Sequence, residues 1–217
     1  MYLPPNLRKE LELGSEGLAF DLDDTLCSTR LAWFQKKSEL FGNPEGLSPS
    51  QLQKKWGHTN QVPYWQTPEI LAWSERFRES NEVQENLPPR EEALHYIPLI
   101  EKIFHLKVYL TCRPESVRLG TERWLEKYHL PSAPLILRPS EVSYHEGNAW
   151  KAQMLEQLFP TVLGIVDDEP KLAEAFSADY RGTHFLYGSS VAPRTDIDVR
   201  LCPTFEEVLR QVEIPRK

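Results

Sequence analysis

The stretch Leu18-Ala19-Phe20-Asp21-Leu22-Asp23-Asp24-Thr25-Leu26 decides how this chain is read. Apolar residues run straight into two carboxylates, Asp21 and Asp23, two positions apart, followed by Asp24 and the hydroxyl of Thr25. An apolar run that stops at acids predicts a buried strand whose carboxyl end opens into a cleft. Open parallel sheets bind ligands at that end of their strands. Like charges gathered there destabilise a fold unless a cation or a reaction uses them. The stretch points to metal-dependent chemistry, with Asp21 as the nucleophile.

Outward from this first strand, Gly17–Asp21, three more strand patterns stand out: Leu106–Thr111, Pro134–Leu137 and Val162–Asp167. Thr183–Tyr187 is a weaker fifth. Helical spacing fills the gaps. Ala93, Ile97, Ile100 and Phe104 recur at that period before the second strand. Val117, Thr121, Trp124, Leu125 and Tyr128 follow it, with Pro114 suited to a first helical turn. Met154, Leu155, Leu158 and Phe159 follow the third strand, and Leu172, Ala173 and Phe176 the fourth. Thr204 is an N-cap candidate for a last helix carrying Phe205, Val208 and Leu209. Strands alternating with helices predict an α/β protein: a Rossmann-like three-layer core with a mostly parallel sheet.

Thr29 to Pro88 breaks that alternation. Leu31, Phe34 and Phe41, then Ile70, Trp73 and Phe77, keep helical spacing, and Ser48-Pro49 reads as another helix start. No strand pattern occurs there, and Pro88-Pro89 closes the region with an extended break. The expected organisation is a core of residues 1–28 and 89–217, with residues 29–88 as a small all-helical cap inserted after the first strand.

A chain of 217 residues can bury one core plus a satellite of this kind. Its net charge of −7 argues against extended nucleic acid, which is held by many Lys and Arg contacts. It leaves a small phosphorylated substrate open. Cys27, Cys112 and Cys202 are too scattered for a disulfide framework or a zinc knuckle, so a reduced cytoplasm is expected. Met1–Lys9 has no apolar run of the kind a signal peptide carries, and no stretch nears the ~18 apolar residues of a membrane span. Oligomeric state has no signature in the sequence.

Chemistry-bearing residues gather where the strands end. Asp21 and Asp23 end the first strand, Thr111 the second, and Asp167 and Asp168 the fourth; Lys151 opens the helix after the third. Parallel strands bring these ends to one edge. A carboxylate there can attack phosphorus. A second can give a proton to the leaving oxygen and take one from water. A hydroxyl and an ammonium can hold phosphoryl oxygens, and Mg2+ needs only one or two carboxylates beside substrate oxygen.

The ordered set Asp21-Leu22-Asp23-Asp24-Thr25, Thr111, Lys151 and Asp167-Asp168 resembles the haloacid dehalogenase (HAD) superfamily of aspartyl-nucleophile phosphatases, from about Gly17 to Tyr187. The resemblance implies that Asp21 is nucleophile and magnesium ligand. It implies that Asp23 is general acid/base and offers its main-chain carbonyl to the metal. Thr111 and Lys151 would bind phosphate, Asp167 would complete the magnesium site, and Asp168 would support that site or orient Lys151. The helical insertion would be a C1-type cap. Dehalogenases of the superfamily lack the second aspartate, so Asp23 directs the reading to phosphate esters. Thr111-Cys112-Arg113-Pro114 and Ile165-Val166-Asp167-Asp168 also resemble branches that include nucleotidases. A phosphomutase, or a HAD-like domain that binds a phosphorylated ligand without turnover, would carry the same residues.

Several residues have two readings. Arg113 either contacts substrate phosphate or pairs with an acid such as Glu115. Trp33, Trp56, Trp65 and Trp73 are read first as the core of the insertion and second as a face for a base. Lys36, Lys37, Lys54 and Lys55 read as solvated faces, any one of which could reach an anionic substrate. The six histidines share no metal-ligand spacing, and Cys112 reads as a small buried residue.

Overall fold

The computed structural model describes residues 9, 11 and 15–214. The absent leader expected on Met1–Lys9 therefore falls almost wholly outside the described residues. The four residues of β1 (Gly17–Phe20) are all buried, as a strand covered on both faces requires. Helices α1 (Thr29–Phe41), α2 (Pro49–Trp56), α3 (Pro68–Arg78), α4 (Asn81–Glu85) and α5 (Glu91–Ile103) follow, with single 3-10 turns at Thr59–Gln61 and Pro63–Trp65. The chain then alternates through β2 (Leu106–Pro114), α6 (Arg118–Lys127), β3 (Leu135–Arg138), α7 (Gly147–Leu158), β4 (Val162–Asp167), α8 (Pro170–Ala175) and β5 (Thr183–Tyr187). It ends with β6 (Asp198–Cys202) and α9 (Phe205–Val212).

The strand order is β3-β2-β1-β4-β5-β6, and every neighbouring pair is parallel. Both faces of the sheet are covered. Leu18 and Phe20 of β1 pack into a cluster with Ile97, Trp124 and Phe205, on α5, α6 and α9. Ala19, between them, joins Trp150, Leu155 and Leu172, on α7 and α8, on the other face. That alternation makes three layers of an α/β Rossmann-like fold. Strand order reverses at β1, so the crevice at the carboxyl ends of β1 and β4 is where such a sheet receives a ligand.

β6 has no counterpart among the expected strands. It pairs with β5 from Thr183↔Asp198 to Tyr187↔Cys202 but lies at the sheet edge and is only half buried, so its sequence lacks an apolar run. β2 also runs past Thr111, and Pro114 closes the strand instead of opening a helix. A 3-10 turn, Glu115–Val117, separates it from α6.

Among the described residues, no strand lies between β1 and α5 beyond isolated bridges of Cys27 with Asp23 and Pro89. Phe34, Leu52, Val62, Trp65 and Ile70 form their own cluster there. Ser48 caps α2 in a reciprocal box with Gln51, and the Thr67 and Ser80 side chains cap α3 and α4. Outgoing and returning chains pair at the exit from the sheet: Ser28 N donates to Pro88 O and Arg90 N to Leu26 O, both at 2.8 Å. α4 is fastened to α6. Gly120 N donates to Asn81 Oδ1 at 2.6 Å, and Trp124 Nε1 to Leu87 O at 2.8 Å. A Cβ at Gly120 would stand 2.2 Å from Asn81 O, so only glycine allows this approach. No helix of the described residues is long and apolar enough to cross a membrane.

Candidate active site

The carboxyl edge of β1 and β4 gathers the predicted acids. Asp21 follows β1 directly, and its N–H donates to Val166 O at 3.0 Å, which ties the turn to β4. Asp167 ends β4 and is fully buried. Lys151 lies one turn into α7, not at its start, and its Nζ donates to Asp21 Oδ1 and Asp167 Oδ2, both at 2.7 Å. One oxygen each from Asp21, Asp167 and Asp168 falls within 4.8 Å of the others.

Burial dominates the electrostatics here. It raises Asp21 to about 8 against the pull of Lys151, and the charges of Asp167 and Asp23 add to the rise. Burial also opposes charge on Lys151, but Asp167 and Asp21 outweigh it and hold the ammonium well above its ordinary value. Asp168 is pushed well up, by burial first and then by Asp24, Asp167 and Asp21. Three hard oxygen donors converging in this way are the donor set a small divalent cation takes. The residues present fit magnesium.

Asp23 sits in a separate grip. Arg113 Nη2 donates to Asp23 Oδ1 at 2.9 Å, and Nε donates to both carboxylate oxygens at 3.1 Å. Thr29, the first residue of α1, donates its hydroxyl to Asp23 Oδ1 at 2.6 Å. Burial raises this carboxyl, yet the Arg113 charge and hydrogen bonds hold it below its ordinary value. The remaining nitrogen of Arg113, Nη1, donates to Thr121 Oγ1 at 3.3 Å. Arg113 thus pairs with an acid, and that acid is Asp23; Glu115 pairs with Arg118 at 2.9 Å. Thr111, fully buried, accepts from Arg113 N at 3.3 Å and retains a hydroxyl hydrogen to donate.

Arg30 and Arg90 carry no site signal in the sequence, because each is one charge on a polar stretch. Arg30, in the first turn of α1, donates its N–H to Asp24 Oδ1 at 2.9 Å and Nη2 to Asp168 Oδ2 at 3.1 Å. Arg90 approaches Asp24 at 3.8 Å from the returning chain. Asp24 therefore faces both ends of the insertion. Its φ of 60° is left-handed backbone, which Asp tolerates better than most residues. Thr25 Oγ1 accepts from Asp168 N at 3.1 Å, so the first acidic turn is tied to the fourth strand's end.

Trp33, Trp65 and Trp73 make ring contacts within the insertion. Trp33 packs on Phe77 (4.9 Å between ring centres) and Trp73, and Trp73 stacks on Phe77 at 4.6 Å. Trp65 packs on Phe34 and Tyr64 and donates Nε1 to Gly42 O at 3.0 Å.

No protein-family profile matches the sequence, and no curated protein matches it. Solved structures do. A HAD-superfamily hydrolase, subfamily IA, variant 1, from Geobacter sulfurreducens superposes with a TM-score of 0.52 at 13% identity, covering 91% of this chain and 96% of that one. A HAD-superfamily hydrolase from Ehrlichia chaffeensis covers 92% of this chain and 97% of its own at 12% identity, with a TM-score of 0.47. The Geobacter likeness shows the fold: this chain has the α/β architecture of HAD-superfamily hydrolases.

Proposed function

We propose that the protein is a magnesium-dependent phosphomonoester hydrolase that works through an aspartyl-phosphate on Asp21, with a small phosphorylated metabolite as substrate. The observation that carries this reading is the Lys151 ammonium, 2.7 Å from both Asp21 and Asp167 at the carboxyl ends of β1 and β4. Asp21 Oδ attacks phosphorus, and the leaving alkoxide takes a proton from Asp23. Asp23 then takes a proton from water as that water attacks the aspartyl-phosphate, releasing phosphate and restoring the Asp21 carboxylate. Arg113 keeps Asp23 ionised at rest; a phosphate dianion arriving beside it favours the protonated form the leaving group needs.

Thr111 and Lys151 hold phosphoryl oxygens where charge accumulates. Magnesium held by Asp21, Asp167, Asp168 and the Asp23 carbonyl would supply Lewis-acid neutralisation of the phosphate, and its charge would favour the ionised Asp21 that the attack needs against the rise that burial imposes. Residues 29–88 serve as a C1-type cap that excludes water from the reacting centre. Cys27, Cys112 and Cys202 are all free thiols, which suits a reduced cytoplasm.

Asp21→Asn keeps the side-chain shape and removes the nucleophile. Turnover of 4-nitrophenyl phosphate with magnesium is expected to fall by about 10³-fold or more, with the thermal midpoint preserved. A variant with the wild-type rate would refute Asp21 as nucleophile.

A further inference from the structure

Two cations of the insertion converge on one indole, and one of them has no acidic partner among the described residues. Lys37 is only 2% exposed, yet no carboxylate pairs with it among the described residues. Its neighbour Lys36 is half exposed and pairs with Glu39, as a solvated lysine should. The Lys37 amine instead lies 5.7 Å from the ring centre of Trp33 and 5.9 Å from that of Trp65. Arg78, at the end of α3, lies over the same Trp33 at 5.6 Å. Among the described residues its acidic partner is Glu75, an exposed residue one turn back at 2.6 Å.

Arg78 also reaches out of the insertion. Its guanidinium stands 4.3 Å from the ring centre of Tyr144, in the 3-10 turn that leads into α7. The charges of Asp23 and Glu169, which follow β1 and β4, act on that Tyr144 phenol, as does Cys112 of β2. Arg78 therefore spans from the insertion to the catalytic edge, and Lys37 stands behind it. Burial lowers the Lys37 amine to about 8, and repulsion from Arg78 adds to the shift.

Burying an ammonium without a counter-ion is unfavourable, and placing a second cation near the same indole makes it more so. Attraction to the ring faces offsets part of this. A chain of net charge −7 has acids to spare, yet among the described residues the fold gives Lys37 none and Arg78 only the exposed Glu75. Such an arrangement suits an anion brought in from outside.

We propose that Lys37 and Arg78, walled by Trp33 and Tyr144, form a second anion site facing the phosphoryl site. The substrates are then phosphomonoesters that carry a further acidic group, a carboxylate or a second phosphate, away from the scissile ester. This rests on the phosphomonoester reading of the Asp21 edge. It also tells Lys37 apart from the other lysines of the insertion: Lys37 is the specificity residue, and Lys36, Lys54 and Lys55 are surface charges.

The test is calorimetric binding of non-hydrolysable probes to the full chain with magnesium. Alkylphosphonates of two to six carbons are compared with ω-phosphonocarboxylates and α,ω-bisphosphonates of the same lengths. At least one acid-bearing probe is expected to bind wild type about 10-fold tighter than its plain partner. The carboxylate and bisphosphonate arms separate the two kinds of acidic group. The preference is expected to shrink to about 2-fold or less in Lys37→Met and in Arg78→Gln.

Lys37→Met keeps the aliphatic stem between the indoles and removes the unpaired charge, so its thermal midpoint is expected to rise, which guards against loss of fold. Equal binding of plain and acid-bearing probes by wild type overturns the proposal, as does a preference that survives both substitutions. Binding is read without turnover, so an inactive but discriminating protein would refute the hydrolase reading alone.

Discussion

Arg113 grips Asp23 through two nitrogens at 2.9–3.1 Å and is itself 3% exposed. A guanidinium buried this deeply has little freedom, so it fixes the carboxylate's direction as well as its charge. In the proposed reaction its role would be to position Asp23. Arg113→Met is expected to lower kcat by about 10²-fold while changing KM far less, because general acid/base catalysis contributes on that scale. Added guanidinium chloride should restore part of the rate. A kcat unchanged in the variant, or a loss that guanidinium does not touch, would contradict positioning.

Lys37 gives a pH signature. Its folded value, about 8, lies below the ordinary 10.5. The unfolded chain thus binds more protons between those values, and wild-type stability rises with pH across that window. Lys37→Met lacks this limb. It is expected to be more stable than wild type at pH 7, with the gap closing from about pH 8 to pH 10.5 in urea unfolding. A gap independent of pH would mean that the amine is neutralised by something other than burial.

At the scale of elements, the docking of α4 on α6 is the tightest approach between the insertion and the sheet-covering helices. Asn81 reaches across with both amide atoms, to Gly120 N and to Ser116 O. Gly120→Ala forces its methyl against the Asn81 carbonyl, so one helix must shift. Overpacking of this kind costs about 1–3 kcal/mol. Chemical unfolding of the variant should show that loss. Wild-type stability would mean that the helices slide apart freely. Asp24, beside Arg30 and Arg90, ties the insertion's entry and exit together at the other end. The insertion is thus held at both its roots.

At the scale of the whole molecule, the proposed magnesium site would couple metal binding to folding. Its acids converge only when β1 and β4 are paired, so the metal would bind the folded chain and scarcely the unfolded one. At about 100-fold excess over its Kd, such a ligand stabilises by about 2.7 kcal/mol, a shift of several degrees for a chain of this size. Thermal unfolding with magnesium and with chelator should show it. Asp167→Ala is expected to erase the shift, whereas Asp24→Ala, which alters the clamp on the insertion, should leave most of it. Equal losses would mean that the ligands are misassigned.

The amino-acid sequence by itself determined the class of fold and which acids stand at the carboxyl edge. β1 and β4 are apolar runs because both their faces are buried, so they stand out in the sequence, and Asp21 and Asp167 stand where those runs stop. β6 escaped because an edge strand keeps one side open to polar residues. The tertiary structure alone decided that Arg113 meets Asp23, 90 positions away, and that Arg30 joins Asp24 to Asp168. It alone separated Lys37 from Lys36, two identical neighbours of which one faces solvent and the other two indoles. Local pattern records what each residue needs from its surroundings. Which distant partner meets that need is set by packing, when the chain closes on itself.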